Sequence, residues 1–131
     1  MRSPIIGITG FVGSHLAEYI PENNTEVEVA SFVRWRSPKA NIDGILNEIT
    51  LYHGNLQDFP SERNMLVSYK PDVIFHLAAH SYVDFCFLSP IDTIETNIVG
   101  TCNLTEVAKQ SKQSDPYNIV IHLYCSSKVY G

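Results

Sequence analysis

Short apolar runs alternate with helix-like segments along this chain, and that order leaves few folds open. Arg2–Ile6, Glu26–Val33, Ile49–His53, Asp72–Ala79 and Asn118–Tyr124 read as strands. Phe11–Ile20, Phe59–Tyr69 and Ile91–Lys112 read as helices between them. Strands separated by helices pair in parallel, through right-handed crossovers that lay helices on both faces. The expected fold class is α/β, a doubly wound parallel sheet that is incomplete at the C-terminus. At 131 residues there is room for one domain, residues 1–131, and no linker or repeat divides it.

The individual segments carry their own signals. Arg2–Ile6 is weakened as a strand by Pro4, which cannot donate to a central ladder. In the second strand Val27, Val29 and Val33 are the candidates for burial. The first helix is expected to end before Pro21, and Pro71 prevents the second from continuing. Residues 34–47 carry Pro38 and Gly44 and read as loop with a short helical piece. The apolar run after Asp72 suits a strand buried on both faces. Ile91, Ile94, Ile98, Cys102 and Thr105 fall on one stripe of the longest helix.

Composition excludes several classes. With 44% hydrophobic and 18% charged residues the chain can bury a real core. A net charge of −5 without a dense Lys/Arg run argues against nucleic-acid or membrane-surface partners. No apolar stretch is of membrane-spanning length and nothing resembles a signal peptide, so a cytoplasmic location is expected. Cys86, Cys102 and Cys125 have neither disulfide-framework parity nor metal-ligand spacing, so no metal site is expected.

Gly7, Gly10 and Gly13 stand at G-x-x-G-x-x-G spacing in the first strand-to-helix turn. A pyrophosphate must come close to backbone amides there, which a Cβ would obstruct, while the helix start supplies unpaired N–H groups and the positive end of the dipole. No G-K-[ST] follows, which removes the phosphate-loop alternative. Gly7, Gly10, Phe11, Val12 and Gly13 are therefore candidate cofactor-binding residues, and the sheet is expected to be of Rossmann type.

Further segments resemble one known family. GITGFVGSHLAEY (7–19), HGNLQD (53–58), HLAAHSYV (76–83), TNIVGTCNLTEVA (96–108) and CSSKVYG (125–131) are similar, in order, to motifs of the extended short-chain dehydrogenases/reductases. The resemblance is to their NAD-dependent epimerase/dehydratase branch, and within it to GDP-mannose 4,6-dehydratases and relatives. It implies the cofactor portion of an enzyme that modifies a nucleotide sugar through a 4-keto intermediate, whether dehydratase, epimerase or reductase. Homo-oligomers are expected only of a full-length protein. The other reading is a non-catalytic NADP(H)-binding module or a diverged copy. NAD-using members place an acid after the second strand, whereas this chain has Arg34, Arg36 and Ser37. Guanidinium groups suit a 2′-phosphate, so NADP is the expected cofactor with NAD as the alternative. Solvated loop cations remain the plainer reading of the two arginines.

By the same resemblance Asn55 and Leu56 face the adenine, and Ala78, Ala79 and His80 pass beneath the cofactor. Ser81 stands on the substrate side. Asn97 buttresses the cofactor-facing loops or is a structural amide. His76 is expected inside the sheet. Ser126 matches the catalytic Ser/Thr, while Ser127 and Lys128 occupy a pair that ends in Glu in retaining dehydratases. Lys128 is equally readable as a surface residue. The family's Y-x-x-x-K helix has no counterpart in these residues. Tyr124 and Lys128 have the spacing, but in a strand residues four apart lie roughly 13 Å from each other at about 3.3 Å per residue. This portion alone is therefore expected not to turn over a nucleotide sugar.

Overall fold

The computed structural model describes residues 1–114 and 118–124, with the side chains of 113 and 114 outside the description. Five strands form one parallel sheet: β1 (Arg2–Ile6), β2 (Glu28–Val33), β3 (Thr50–His53), β4 (Val73–His76) and β5 (Val120–Leu123), in the order β3-β2-β1-β4-β5. The helices are α1 (Phe11–Asn23), α2 (Phe59–Tyr69), α3 (Val83–Leu88), α4 (Pro90–Ile94) and α5 (Gly100–Ser114). A 3₁₀ turn covers Ala40–Ile45, and a π turn, Glu95–Val99, joins α4 to α5. This is the expected Rossmann-type winding.

Strand pleat divides the core in two. Ile5, Val29 and Val33 face one layer with Ala17 of α1 and Ile42 of the 3₁₀ turn. Ile6, Ala30, Phe32 and Ile74 face the other with Leu66 and Tyr69 of α2 and Leu104 and Val107 of α5. Among the described residues no helix is long and apolar enough to cross a membrane.

Several sequence expectations need correction. The first strand keeps its expected bounds, Arg2–Ile6, although Pro4 lies in the middle strand of the sheet. Pairing with β2 runs over Arg2, Ser3 and Pro4, and pairing with β4 begins only at Ile5↔Phe75. Ahead of the proline, the Asp72 carboxylate accepts the Arg2 N–H at 2.7 Å in place of a backbone carbonyl. Helix α1 continues through Pro21 for a final turn, which closes where the Asn24 N–H bonds Ile20 O at 2.8 Å. Proline removes one donor, and so close to the helix end that loss does not stop the last turn. The fourth strand stops at His76, because residues 77–80 leave the sheet to line a crevice.

The stripe chosen on the longest helix is its outer face. Ile91, Ile94, Ile98, Cys102 and Thr105 are exposed, whereas Gly100, Leu104, Val107 and Ala108 are buried. The outer stripe is apolar only through Ile98; within α5 it turns polar at Thr105 and Lys109, and the apolar side packs inward. A Cβ on Gly100 would come within 2.8 Å of Leu56 Cβ, so the bare backbone is what lets α5 approach the β3–α2 loop.

Candidate functional site

Parallel strands present all their carboxyl ends on one side, and β1, β2, β3 and β4 there open onto one crevice. It lies where the strand order reverses between β1 and β4, the place at which open α/β sheets bind ligands. Each strand contributes the loop that follows it, and Asp92 and Thr96 close the far side.

The loop after β1 is shaped by its glycines, for different reasons. Gly7 has φ +95°, and a Cβ on it would meet Ala78 N at 2.7 Å. A Cβ on Gly13 would lie 2.3 Å from Gly7 O. Both are demanded by packing within the protein. Gly10 is not, since a Cβ there would meet only Gly7 O, at 3.3 Å. Its N–H bonds Gly7 O at 3.0 Å, and its carbonyl accepts from Ser14 N–H, closing the first turn of α1. The start of α1 has no side-chain cap and no acid in its first turn. The N–H groups of Phe11, Val12 and Gly13 therefore lack intrahelical partners. Asn41 Nδ2 donates to Thr9 O at 2.9 Å and holds the loop to the 3₁₀ turn.

After β2, Arg34 and Ser37 line the crevice, and the Ser37 N–H bonds Arg34 O at 3.0 Å to form a turn. Arg36 is exposed and does not line it. After β3, Asn55 Oδ1 accepts from the Gln57 N–H at 3.2 Å, so an Asx turn already occupies the amide expected to meet adenine, leaving one lone pair. Leu56 belongs at once to the core and to the crevice wall, and Asn103 Nδ2 fixes its carbonyl at 2.9 Å.

After β4, Ala78, Ala79 and His80 form the floor. Asn97, from the π turn, clasps His80: Oδ1 accepts its N–H at 2.7 Å and Nδ2 donates to its carbonyl at 3.0 Å. Asn97 does not line the crevice and acts through the loop, as a buttress would. His76 lies inside the sheet, with Nε2 3.0 Å from Thr101 Oγ1. That hydroxyl gives its one proton to Asn97 O at 2.8 Å, so His76 must donate from Nε2. Burial holds its pKa below the usual imidazole range, and the ring is neutral.

Phe11, Val12, Gly13, Arg36, Asn97 and Ser81 are thus outside the lining, whereas Gly7, Gly10, Arg34, Ser37, Asn55, Leu56, Ala78, Ala79 and His80 are in it. Side chains 11 and 12 point to solvent from the helix start, and Ser81 is exposed beyond the loop. Ser126, Ser127 and Lys128 lie outside the described residues. Tyr124 follows the end of β5 and is not on a helix. Sequence reasoning missed Thr9, Gln57, Asp92 and Thr96, which line the crevice. Gln57 Nε2 reaches Asp92 Oδ1 and Thr96 Oγ1, both at 3.1 Å, across 35 and 39 positions of chain. No local pattern announces such a contact.

Sheet order, crevice and glycine turn define a Rossmann-type domain. A family model described as GDP-mannose 4,6 dehydratase matches residues 5–131, and the chain belongs to that family, within the NAD-dependent epimerases and dehydratases. It is 34% identical over 107 residues to a CDP-glucose 4,6-dehydratase of Salmonella typhimurium, covering 81% of this chain and 30% of the relative. It is 30% identical over 139 residues to dTDP-glucose 4,6-dehydratase 1 of Escherichia coli, covering all of this chain and 38% of the relative. The chain thus spans about a third of the length of these curated relatives. Among solved structures, UDP-glucose 4-epimerase of Thermus thermophilus in complex with NAD matches with a TM-score of 0.71 and 26% identity, over 84% of this chain and 34% of the epimerase. A Burkholderia cenocepacia protein described as a putative epimerase matches with a TM-score of 0.78 and 27% identity, over 99% and 39%.

Proposed function

We propose that this chain is the dinucleotide-holding portion of a nucleotide-sugar-modifying enzyme, a 4,6-dehydratase, epimerase or 4-keto reductase. The observation that carries the reading is Gly10. A Cβ there would press on a single backbone atom, Gly7 O at 3.3 Å, which a shift of a few tenths of an ångström would relieve, yet the residue is bare beside an uncapped helix start. A diphosphate seated over that turn would accept from the orphan N–H groups and lie at the positive end of the α1 dipole. The adenosine ribose would then lie toward Arg34 and Ser37, the adenine toward Asn55 and Leu56, and the nicotinamide half over Ala78–His80. Ser81 and the region after β5 would face the sugar.

When bound, the dinucleotide accepts and returns the hydride. The chain's own residues bind and orient it. Arg34 supports NADP over NAD, since its guanidinium can take a 2′-phosphate through paired hydrogen bonds and no acid follows β2 to repel it. By resemblance, Ser126 would hold a sugar hydroxyl and Ser127 and Lys128 would flank it. Titrating NADP and NAD against wild type and Arg34→Asp tests the reading. NADP should bind wild type about tenfold more tightly, and the substitution should reverse the order. Equal affinities would overturn the cofactor choice, and no binding of either would overturn the function.

A further inference from the structure

His80 sits in the crevice floor beside a carboxylate supplied by another element. Its Nε2 is 3.1 Å from Asp92 Oδ2 of α4 and is otherwise buried without a hydrogen-bond partner. The imidazole packs on Phe85 of α3, with ring centroids 4.8 Å apart. Asn97 fixes its main chain on both sides, and Cys86 Sγ, also of α3, lies 3.5 Å from its carbonyl. Asp92 is committed as well, because its Oδ1 accepts from Gln57 Nε2 at 3.1 Å. One carboxylate on α4 therefore ties the loop after β3 to the loop after β4, a wall of the crevice to its floor.

None of the other groups around the ring changes charge to compensate this one. Asn55, Gln57, Thr96 and Asn97 are neutral, His76 on β4 is held neutral by burial, and Asp84 on α3 is bonded to the Tyr82 hydroxyl at 3.0 Å. Arg34 lines the crevice from the loop after β2 and is always cationic, so its contribution does not vary with pH. Within the crevice the net charge of the His80–Asp92 pair is what can change: negative when the imidazole is neutral, zero when it is protonated.

We propose that His80 and Asp92 form a charge-compensating pair that couples protonation of His80 to binding of an anionic dinucleotide. This rests on the reading that the crevice holds a dinucleotide. A diphosphate is repelled by an uncompensated Asp92 and relieved of that repulsion when His80 takes up a proton. By linkage, bound dinucleotide then draws a proton onto the pair. The roles are unequal. His80 is the group that changes charge, and Asp92 is the positioning residue that makes the change matter.

The test is calorimetric titration of NAD, whose diphosphate does not titrate near neutrality, into the full chain at about pH 6 and about pH 8, where histidine changes charge. Wild type should lose about three- to tenfold in affinity on going to the higher pH, and should take up protons on binding in buffers of different ionisation heat. His80→Gln should bind at both pH values as wild type does at the higher one. Asp92→Asn, which keeps a carbonyl for Gln57, should bind more tightly than wild type at about pH 8 and keep a pH slope. A flat wild-type profile without proton uptake overturns the proposal, as does a slope that survives in His80→Gln. Equal weakening of both variants at both pH values also overturns it, being the pattern of mere bracing. Wild type that binds no NAD at either pH removes the underlying reading of the crevice too.

Discussion

Helices α1 and α2 both begin just after the carboxyl end of a strand, and their first turns are built to opposite ends. The start of α2 is closed on itself. Asp58 caps it, accepting from the Ser61 N–H at 3.0 Å, Pro60 has no N–H to satisfy, and the Ser61 hydroxyl donates back to Asp58 O at 2.9 Å. Glu62 adds a second acid to the same turn. The start of α1 has glycine where a capping side chain would stand, no acid, and no side-chain bond to its first amides. Helix ends leave donors that something must satisfy. In α2 the protein does this itself. In α1 the donors are left open, which on the proposed reading is where a diphosphate would sit, while Asp58 caps the other helix.

The contrast can be tested by substituting the glycines of α1 and the acids of α2. The largest effect is expected from Gly13→Ala, whose Cβ would lie 2.3 Å from Gly7 O. It should cost about 3 kcal/mol in urea unfolding, because buried backbone cannot give way easily. Gly10→Ala should leave stability within about 1 kcal/mol and weaken dinucleotide binding at least about tenfold. If the two substitutions behaved alike, the glycine turn would be a packing device alone.

An intermediate effect is expected at Glu62, which is fully buried with neither carboxylate oxygen hydrogen-bonded. Burial, and then the charge of Asp58, push its pKa up to about 8 from an ordinary 4.5. The folded state therefore binds a proton that the unfolded state has released. Stability from this group is complete below about 4.5, falls as pH rises, and levels off above about 8. Glu62→Gln should remove this slope and exceed wild type by roughly 1–3 kcal/mol at alkaline pH. Denaturant titrations across that range decide it, and a variant that keeps the wild-type slope would contradict the assignment.

The smallest effect concerns the cap. Asp58→Ala should cost about 1 kcal/mol, leave dinucleotide affinity unchanged, and lower the Glu62 pKa by removing the neighbouring charge. A loss of cofactor affinity in Asp58→Ala would break the division of labour between the two helix starts.

Much of this was legible because it is local. The alternation of strands and helices and the glycine turn are carried by residues close in sequence, while Asn55, Leu56 and the 78–80 loop were singled out by the family resemblance. The errors came where a local rule met a neighbour. Pro4 weakened the expected first strand, but the strand forms over Arg2–Ile6 because pairing with β4 begins only at Ile5, past the proline. Arg34 and Arg36 looked equivalent, but the Arg34–Ser37 turn leaves only the first of them lining the crevice.

What the sequence determined by itself was the parallel α/β class and the position of the glycine turn, because period and glycine spacing act over a few residues. The break of the long periodic segment at the π turn was decided in three dimensions: the apolar stripe of Ile91, Ile94 and Ile98 stays outside, while α5 buries Leu104, Val107 and Ala108 and lets Gly100 approach Leu56. So was the distinction among the glycines, which depends on what backbone lies across from each one. The His80–Asp92–Gln57 cluster was decided there as well. It joins three elements across the sheet's carboxyl edge, and a contact between distant residues has no period to read.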